Sequence, residues 1–244
     1  MDKPLRDDFR PSRNEACFCN SGLRFKNCCG SSASNRQPPY GVVVIENFLS
    51  PDECQALVVL AKTLESERLT IVDLEHTNED EVVRKVDEGR VTERVDMSAH
   101  QSRLDQFVKQ ALLEVVEPHV KDKVSWFEQP QLLKYNPGGF YLPHADSENF
   151  DESSQRWRKD LDRDISLLLY LNSDFEGGHI SFENFGYKIK PKAGMLIFFP
   201  SDSRYLHTAE AVTEGVRYAI VSWSSLLSSP KVRRSPPPDA ISLI

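Results

Sequence analysis

His144-Ala145-Asp146 sets an imidazole and a carboxylate two residues apart, so on an extended strand both side chains leave the same face. A second imidazole, His207, follows the apolar run 195–200. Two histidines and a carboxylate that leave the opposite coordination positions open suit a ferrous ion whose cosubstrate and oxygen must bind together. His-x-Asp alone is weak evidence, and His76, His100 and His119 are read as surface or core histidines. Arg217 adds specificity. It stands ten residues past His207 in the otherwise apolar stretch 216–223, where an arginine needs an anionic partner. A planar guanidinium can grip a carboxylate with two parallel hydrogen bonds. Trp223, six residues on, shares the strand face of Arg217.

A second cluster lies near the N-terminus. Cys17, Cys19, Cys28 and Cys29 are four of the five cysteines. The first twenty residues hold no apolar run of the kind that directs export, which predicts a cytoplasmic, reducing setting where structural disulfides are rare. Four thiolates at this spacing suit tetrahedral zinc with no open position; a redox-sensitive or incidental thiol cluster is the alternative. Asn20-Ser21-Gly22 can turn the chain between the pairs. Metal binding, worth about 10–16 kcal/mol in small zinc peptides, would stabilise a segment too short to bury a core. Cys54 reads as an ordinary core residue.

These groups need a scaffold. A chain of 244 residues, 39% hydrophobic with net charge -7, can bury one large core. Its longest apolar run, 56–61, is far below the roughly 20 residues of a membrane span. An acidic chain is also a poor prior for a duplex nucleic-acid binder, because phosphate contacts usually need a basic face. The divisions read as a zinc motif over 1–30, a linker over 31–39, the main domain over 40–228 and a solvated, Pro/Ser-rich basic tail over 229–244.

Residues 41–48 predict a strand, and Ser50-Pro51-Asp52-Glu53 predicts a capping box opening a helix that buries Cys54, Leu57, Val58, Ala61 and Leu64. A second helix starts near Ser98 or Ser102, buries Leu104, Phe107, Val108, Ala111, Leu112 and Val115, and ends before Pro118. Residues 65–97 are charged and weakly patterned. Beyond 124, apolar runs at 131–135, 165–171, 179–182, 187–189, 195–199 and 216–223 alternate with turns, which predicts a β sandwich or barrel. The fold class is α+β, an antiparallel β core braced by helices. Residues 147–163, rich in charge and carrying Phe150 and Trp157, read either as a solvated loop or as a mobile lid.

His144-x-Asp146, His207 and Arg217 together resemble the signature of Fe(II)/2-oxoglutarate-dependent dioxygenases, which implies a double-stranded β-helix of jelly-roll or cupin-like form. Tyr135-Asn-Pro-Gly-Gly-Phe-Tyr141-Leu-Pro-His144, Leu169-Tyr170-Leu171-Asn172 and Glu176-Gly-Gly-His-Ile-Ser-Phe182 resemble the prolyl 4-hydroxylase branch. Arg217-Tyr-Ala-Ile-x-x-Trp223 is closer to the hypoxia-type prolyl hydroxylases. Residues 17–29 resemble the SEC-C zinc motif, with Asn20 where glycine is usual.

The resemblance implies iron on His144, Asp146 and His207. It places the distal carboxylate of 2-oxoglutarate on Arg217 and the Tyr170 hydroxyl, with Tyr135 and Ile180 lining the pocket and Trp223 nearby. His179 alternates away from that pocket. The implied reaction hydroxylates a prolyl residue of a protein with O2, releasing succinate and CO2, with ascorbate as reductant. Zinc on Cys17, Cys19, Cys28 and Cys29 would be a docking module for a protein or the ribosome. A free amino acid or other small molecule is the second substrate reading, and a non-catalytic zinc adaptor is a third class. A nucleic-acid demethylase would carry a second arginine where Trp223 stands, and Asp146 argues against a halogenase, whose halide takes the carboxylate's place.

Overall fold

Long apolar strands and two amphipathic helices account for most of the architecture. The computed structural model describes residues 12–17, 22–28, 30–31, 38–72, 84–86 and 88–244; Cys19, Cys29 and His76 lie outside them. Eight strands carry the core: β1 (Gln131–Tyr135), β2 (Phe140–His144), β3 (Ile165–Tyr170), β4 (Ile180–Phe182), β5 (Tyr187–Ile189), β6 (Leu196–Pro200), β7 (His207–Ala209) and β8 (Arg217–Leu226). One sheet orders them β6-β3-β8-β1 and the other β5-β4-β7-β2, all antiparallel. Apart from the β4–β5 hairpin, each successive strand crosses to the opposite sheet, which is the connectivity of a jelly roll.

The first sheet is covered on both faces, which is why β3 and β8 read as almost unbroken apolar runs. Its outer face packs Leu167, Leu169 and Ile220 under two helices, α1 (Pro51–Ala61) and α2 (Gln101–Ala111), which contribute Leu57, Leu104 and Val108. Its inner face meets the second sheet through Tyr170, Ile197 and Phe199 against Ile180 and Phe182.

Helix α1 opens with the expected capping box: the Glu53 amide donates to Ser50 Oγ at 3.2 Å and the Ser50 amide donates to Glu53 Oε2 at 2.8 Å. It buries Cys54 as an ordinary core side chain. The expected strand over 41–48 shrinks to Val43–Ile45, because Asn47 turns the chain at φ 58°. Phe48 then donates its amide to the Gly194 carbonyl at 2.7 Å. Gly194 itself has φ 77°, and a Cβ there would sit 2.3 Å from the Leu49 carbonyl oxygen. Gly194→Ala is therefore expected to destabilise the protein by about 1–3 kcal/mol. An unchanged thermal midpoint would contradict this.

Three expectations need correction. The second helix does not end before Pro118; a π-helical turn over Leu112–Val116 leads into Glu117–Val120. Pro118 thus falls in a first turn, where its missing N–H is tolerated. Residues 147–163 are not irregular, since Glu148–Asp151 and Arg156–Lys159 form a hairpin. Across it Glu148 faces Lys159, Phe150 faces Trp157 and Asp151 faces Arg156, and the Phe150 and Trp157 rings meet edge to face with centroids 5.6 Å apart. The segment 229–244 is largely exposed, as expected, but it is not a detached tail: Ala240–Ser242 pairs with the strand Val124–Glu128, and the Asp162 carboxylate accepts the amides of Val232 and Arg233 at 2.7 and 2.9 Å.

In the weakly patterned region, Ser66–Arg68 and Glu93–Val95 extend the first sheet beyond β1, while Arg90–Val91 joins the second beside β2. Near the N-terminus, Ala16 bridges Arg24 and the buried Cys17 donates its amide to Leu23. Among the described residues no helix is long and apolar enough to cross a membrane.

Candidate active site

Strand register brings the metal donors together. His207 on β7 lies directly opposite His144 on β2, with ring centroids 4.1 Å apart. Asp146 follows β2, where its amide donates to the Ser201 carbonyl at 3.0 Å. Its carboxylate oxygens stand 3.7 Å from His144 Nε2 and 3.5 Å from His207 Nε2, and one potential donor atom from each residue falls within 4.8 Å of the others.

The imidazoles are already oriented for a metal. His144 Nδ1 lies 2.8 Å from the Leu142 carbonyl and His207 Nδ1 lies 3.1 Å from the Tyr205 carbonyl. A carbonyl can only accept, so each Nδ1 carries a proton and each Nε2 is turned toward the carboxylate. Burial, reinforced by neighbouring His207, holds the His144 pKa well below its ordinary value, so the ring is neutral. Burial alone would raise the Asp146 pKa, but His207, His144, Arg163 and the Ser166 hydroxyl outweigh it and hold the carboxyl at about 2. With His144 neutral, Arg163 and Ser166 still act in that direction. A neutral His144 imidazole, the His207 imidazole beside it and one ionised carboxylate fit a divalent ion.

The outer partners of this triad come from β3, the loop after β6 and the hairpin base. Ser166 donates to Asp146 Oδ2 at 2.6 Å and lies 2.8 Å from the Ser201 hydroxyl. Arg163 donates to the Asp146 carbonyl at 3.2 Å and forms a two-pronged pair with Glu128 at 2.5 and 2.6 Å. Sequence reading missed all four residues; Arg163 stands in Asp162-Arg163-Asp164, which gives no sign of burial. Ser166→Ala should weaken metal binding by about tenfold, at the lower end of the usual cost of removing an outer-sphere partner. Anaerobic metal titration checks this, and an unaltered affinity would show that Ser166 does not orient the carboxylate.

Arg217 heads β8 and is only 2% exposed. Its guanidinium lies 3.9 Å over the Tyr135 ring and its Nη1 donates to the Gly178 carbonyl at 2.6 Å. Its Nε is buried without a partner. An orphaned donor on a buried cation is costly, and an incoming carboxylate would satisfy it. Tyr135, Tyr170, Ile180 and Trp223 line the same cavity as Arg217 and the three metal donors. Burial pushes the Tyr170 pKa up, against the weaker opposing pull of Arg217, so its hydroxyl stays protonated. Trp223 receives the Arg163 guanidinium 3.9 Å over its ring. His179 is not part of this lining; it stands 3.7 Å from Glu210. Of the four cysteines in the N-terminal cluster, the described residues include only Cys17 and Cys28.

With this geometry in hand, similarity to known proteins becomes informative. Residues 130–225 match the 2OG-Fe(II) oxygenase superfamily and residues 13–31 match the SEC-C motif. Prolyl 3-hydroxylase 2 from Homo sapiens is 40% identical over 92 residues, which are 34% of this chain and 13% of that protein. A PKHD-type hydroxylase from Synechococcus is 36% identical over 104 residues, 41% of this chain and 44% of that protein. The chain therefore aligns with less than half the length of these relatives. Among solved structures, a viral collagen prolyl hydroxylase from Paramecium Bursaria Chlorella virus-1 shares the fold, with TM-score 0.51 and 22% identity over 76% of this chain and 96% of that one. So does a Trichoplax adhaerens prolyl hydroxylase in complex with a hypoxia inducible factor oxygen degradation domain peptide fragment, with TM-score 0.51 and 20% identity over 78% of this chain and 88% of that one. Residues 130–225 are thus similar to the 2OG-Fe(II) oxygenase superfamily, and residues 13–31 ahead of them to the SEC-C motif.

Proposed function

We propose that the protein is an Fe(II)- and 2-oxoglutarate-dependent dioxygenase that hydroxylates a prolyl residue of a protein substrate and releases succinate and CO2. The observation that carries this reading is one cavity holding both a preoriented His144/Asp146/His207 donor set and the buried guanidinium of Arg217, whose Nε lacks a partner. A ferrous ion bound there would supply the centre at which 2-oxoglutarate and oxygen meet. The protein's own part is positioning. His144 and His207 present Nε2 lone pairs, and Asp146 adds the negative charge. Arg217 and the Tyr170 hydroxyl receive the distal carboxylate, while Tyr135 and Ile180 wall its methylene chain and Trp223 closes one side.

The relatives named above, prolyl hydroxylases among them, support a prolyl substrate. The free amino acid and adaptor readings gain no support from a site whose donors and anion anchor are intact. Incubation with iron, 2-oxoglutarate, ascorbate and proline-containing peptides should give succinate together with one added oxygen atom on proline. Succinate formation with oxygen never appearing on a peptide proline would contradict the substrate assignment.

The N-terminal motif is read as a structural zinc site on Cys17, Cys19, Cys28 and Cys29 that docks a protein partner or the ribosome in the cytoplasm. The purified chain should hold one zinc, and Cys17→Ser should release it. A zinc content unaffected by that change would contradict the ligand assignment.

A further inference from the structure

The cavity wall holds one cation more than the proposed reaction uses. Arg90, on the strand beside β2, is paired opposite Tyr141. Its guanidinium carbon lies 4.7 Å from the Tyr141 ring centroid, and that ring stacks on His144 at 3.5 Å with an interplanar angle of 18°. Arg90 lines the same cavity as the metal donors and Arg217. Its Nε is buried and without a hydrogen-bond partner, and Arg90 forms no ion pair among the described residues.

On the reading proposed above, a divalent ion and Arg217 are neutralised together by Asp146 and the dicarboxylate of 2-oxoglutarate. Both carboxylates of that molecule are then engaged, one on Arg217 and one at the metal. Among the described residues Arg90 remains a surplus charge with an unmet donor, held one aromatic ring away from a metal ligand. A neutral peptide carbonyl would satisfy the donor but not the charge, whereas a carboxylate satisfies both through charge-assisted hydrogen bonds.

We propose that Arg90 is a specificity-determining residue that binds an acidic side chain flanking the residue to be hydroxylated, so that the substrate is an acidic peptide segment. The two stacked separations, His144 to Tyr141 and Tyr141 to Arg90, place Arg90 no farther from His144 than about 2.5 residues of extended peptide at roughly 3.3 Å each. The acidic side chain therefore belongs within about two positions of the target.

The test measures binding without turnover. The full chain, loaded anaerobically with Mn(II) and 2-oxoglutarate, is titrated with fluorescent proline peptides bearing Glu one or two positions from the proline, and with the same peptides bearing Gln. Wild type should bind at least one Glu peptide ten times more tightly than its Gln twin. Arg90→Gln and Arg90→Met should abolish that difference by weakening only the Glu peptide, and Arg90→Lys should keep part of it. Met retains an apolar stem against Tyr141, so agreement between the Gln and Met variants separates lost charge from lost packing. Equal binding of Glu and Gln peptides by wild type, including no binding of either, overturns the proposal, as does a preference that survives Arg90→Gln. A tenfold loss of 2-oxoglutarate affinity in both variants also overturns it, by assigning Arg90 to the cosubstrate. Failure of the iron-loaded wild type to convert 2-oxoglutarate to succinate would instead contradict the oxygenase reading, and the peptide preference would still be readable.

Discussion

Asp146→Asn is expected to lower Fe(II) affinity by at least about 100-fold, the upper end of what loss of even an outer-sphere partner costs. The substitution keeps the side chain's shape, so Ser166 still finds an oxygen and the surrounding strands need not move. What it removes is the only anionic donor of the triad. His144 and His207 are oriented by backbone carbonyls rather than by the carboxylate, so their geometry should survive. The loss is then one of charge, at a buried position where solvent screens little. Anaerobic Fe(II) titration, with circular dichroism to establish that the variant is folded, measures the effect. Affinity within tenfold of wild type would mean that Asp146 is not a ligand.

The second large effect falls on the cosubstrate. Arg217→Ala should raise the 2-oxoglutarate KM at least tenfold while leaving metal affinity near that of the wild type. Each charged hydrogen bond contributes about 1.5–3 kcal/mol, so loss of even one corresponds to a factor of ten or more. Removing the side chain also takes packing from Tyr135 and a donor from the Gly178 carbonyl, which could reduce stability. Arg217→Lys therefore serves as the companion variant: it keeps the charge but not the fork, and should fall between wild type and alanine. Succinate formation against 2-oxoglutarate concentration, with metal titration alongside, reads both. An unchanged KM in both variants would move the anion anchor elsewhere.

The groups forming the site were readable to different degrees. His144, Asp146 and Arg217 declare themselves locally, the first two by strand periodicity and the third as a cation in an apolar run. That His207 meets His144 depends on β7 lying beside β2, which a resemblance can imply but a local pattern cannot. Ser166, Ser201, Arg163 and Glu128 lie outside any motif, because they approach Asp146 or its neighbours from strands and loops distant in sequence.

Fold features failed for related reasons. The hairpin over 148–159 is rich in charged residues, so its composition resembles that of a loop, and only the register that sets Phe150 against Trp157 shows the ladder. The pairing of Ala240–Ser242 with Val124–Glu128 depends on an edge strand more than a hundred residues away. Arg90 lies in the weakly patterned stretch, and only its pairing with Tyr141 brings it to the cavity.

A structure determined anaerobically with Mn(II) and 2-oxoglutarate tests the central claim most directly. The account predicts one ion bound by His144 Nε2, His207 Nε2 and an Asp146 oxygen, and a dicarboxylate whose far end meets the Arg217 guanidinium. An ion held by other residues, or a dicarboxylate whose far end lies away from Arg217, would contradict it.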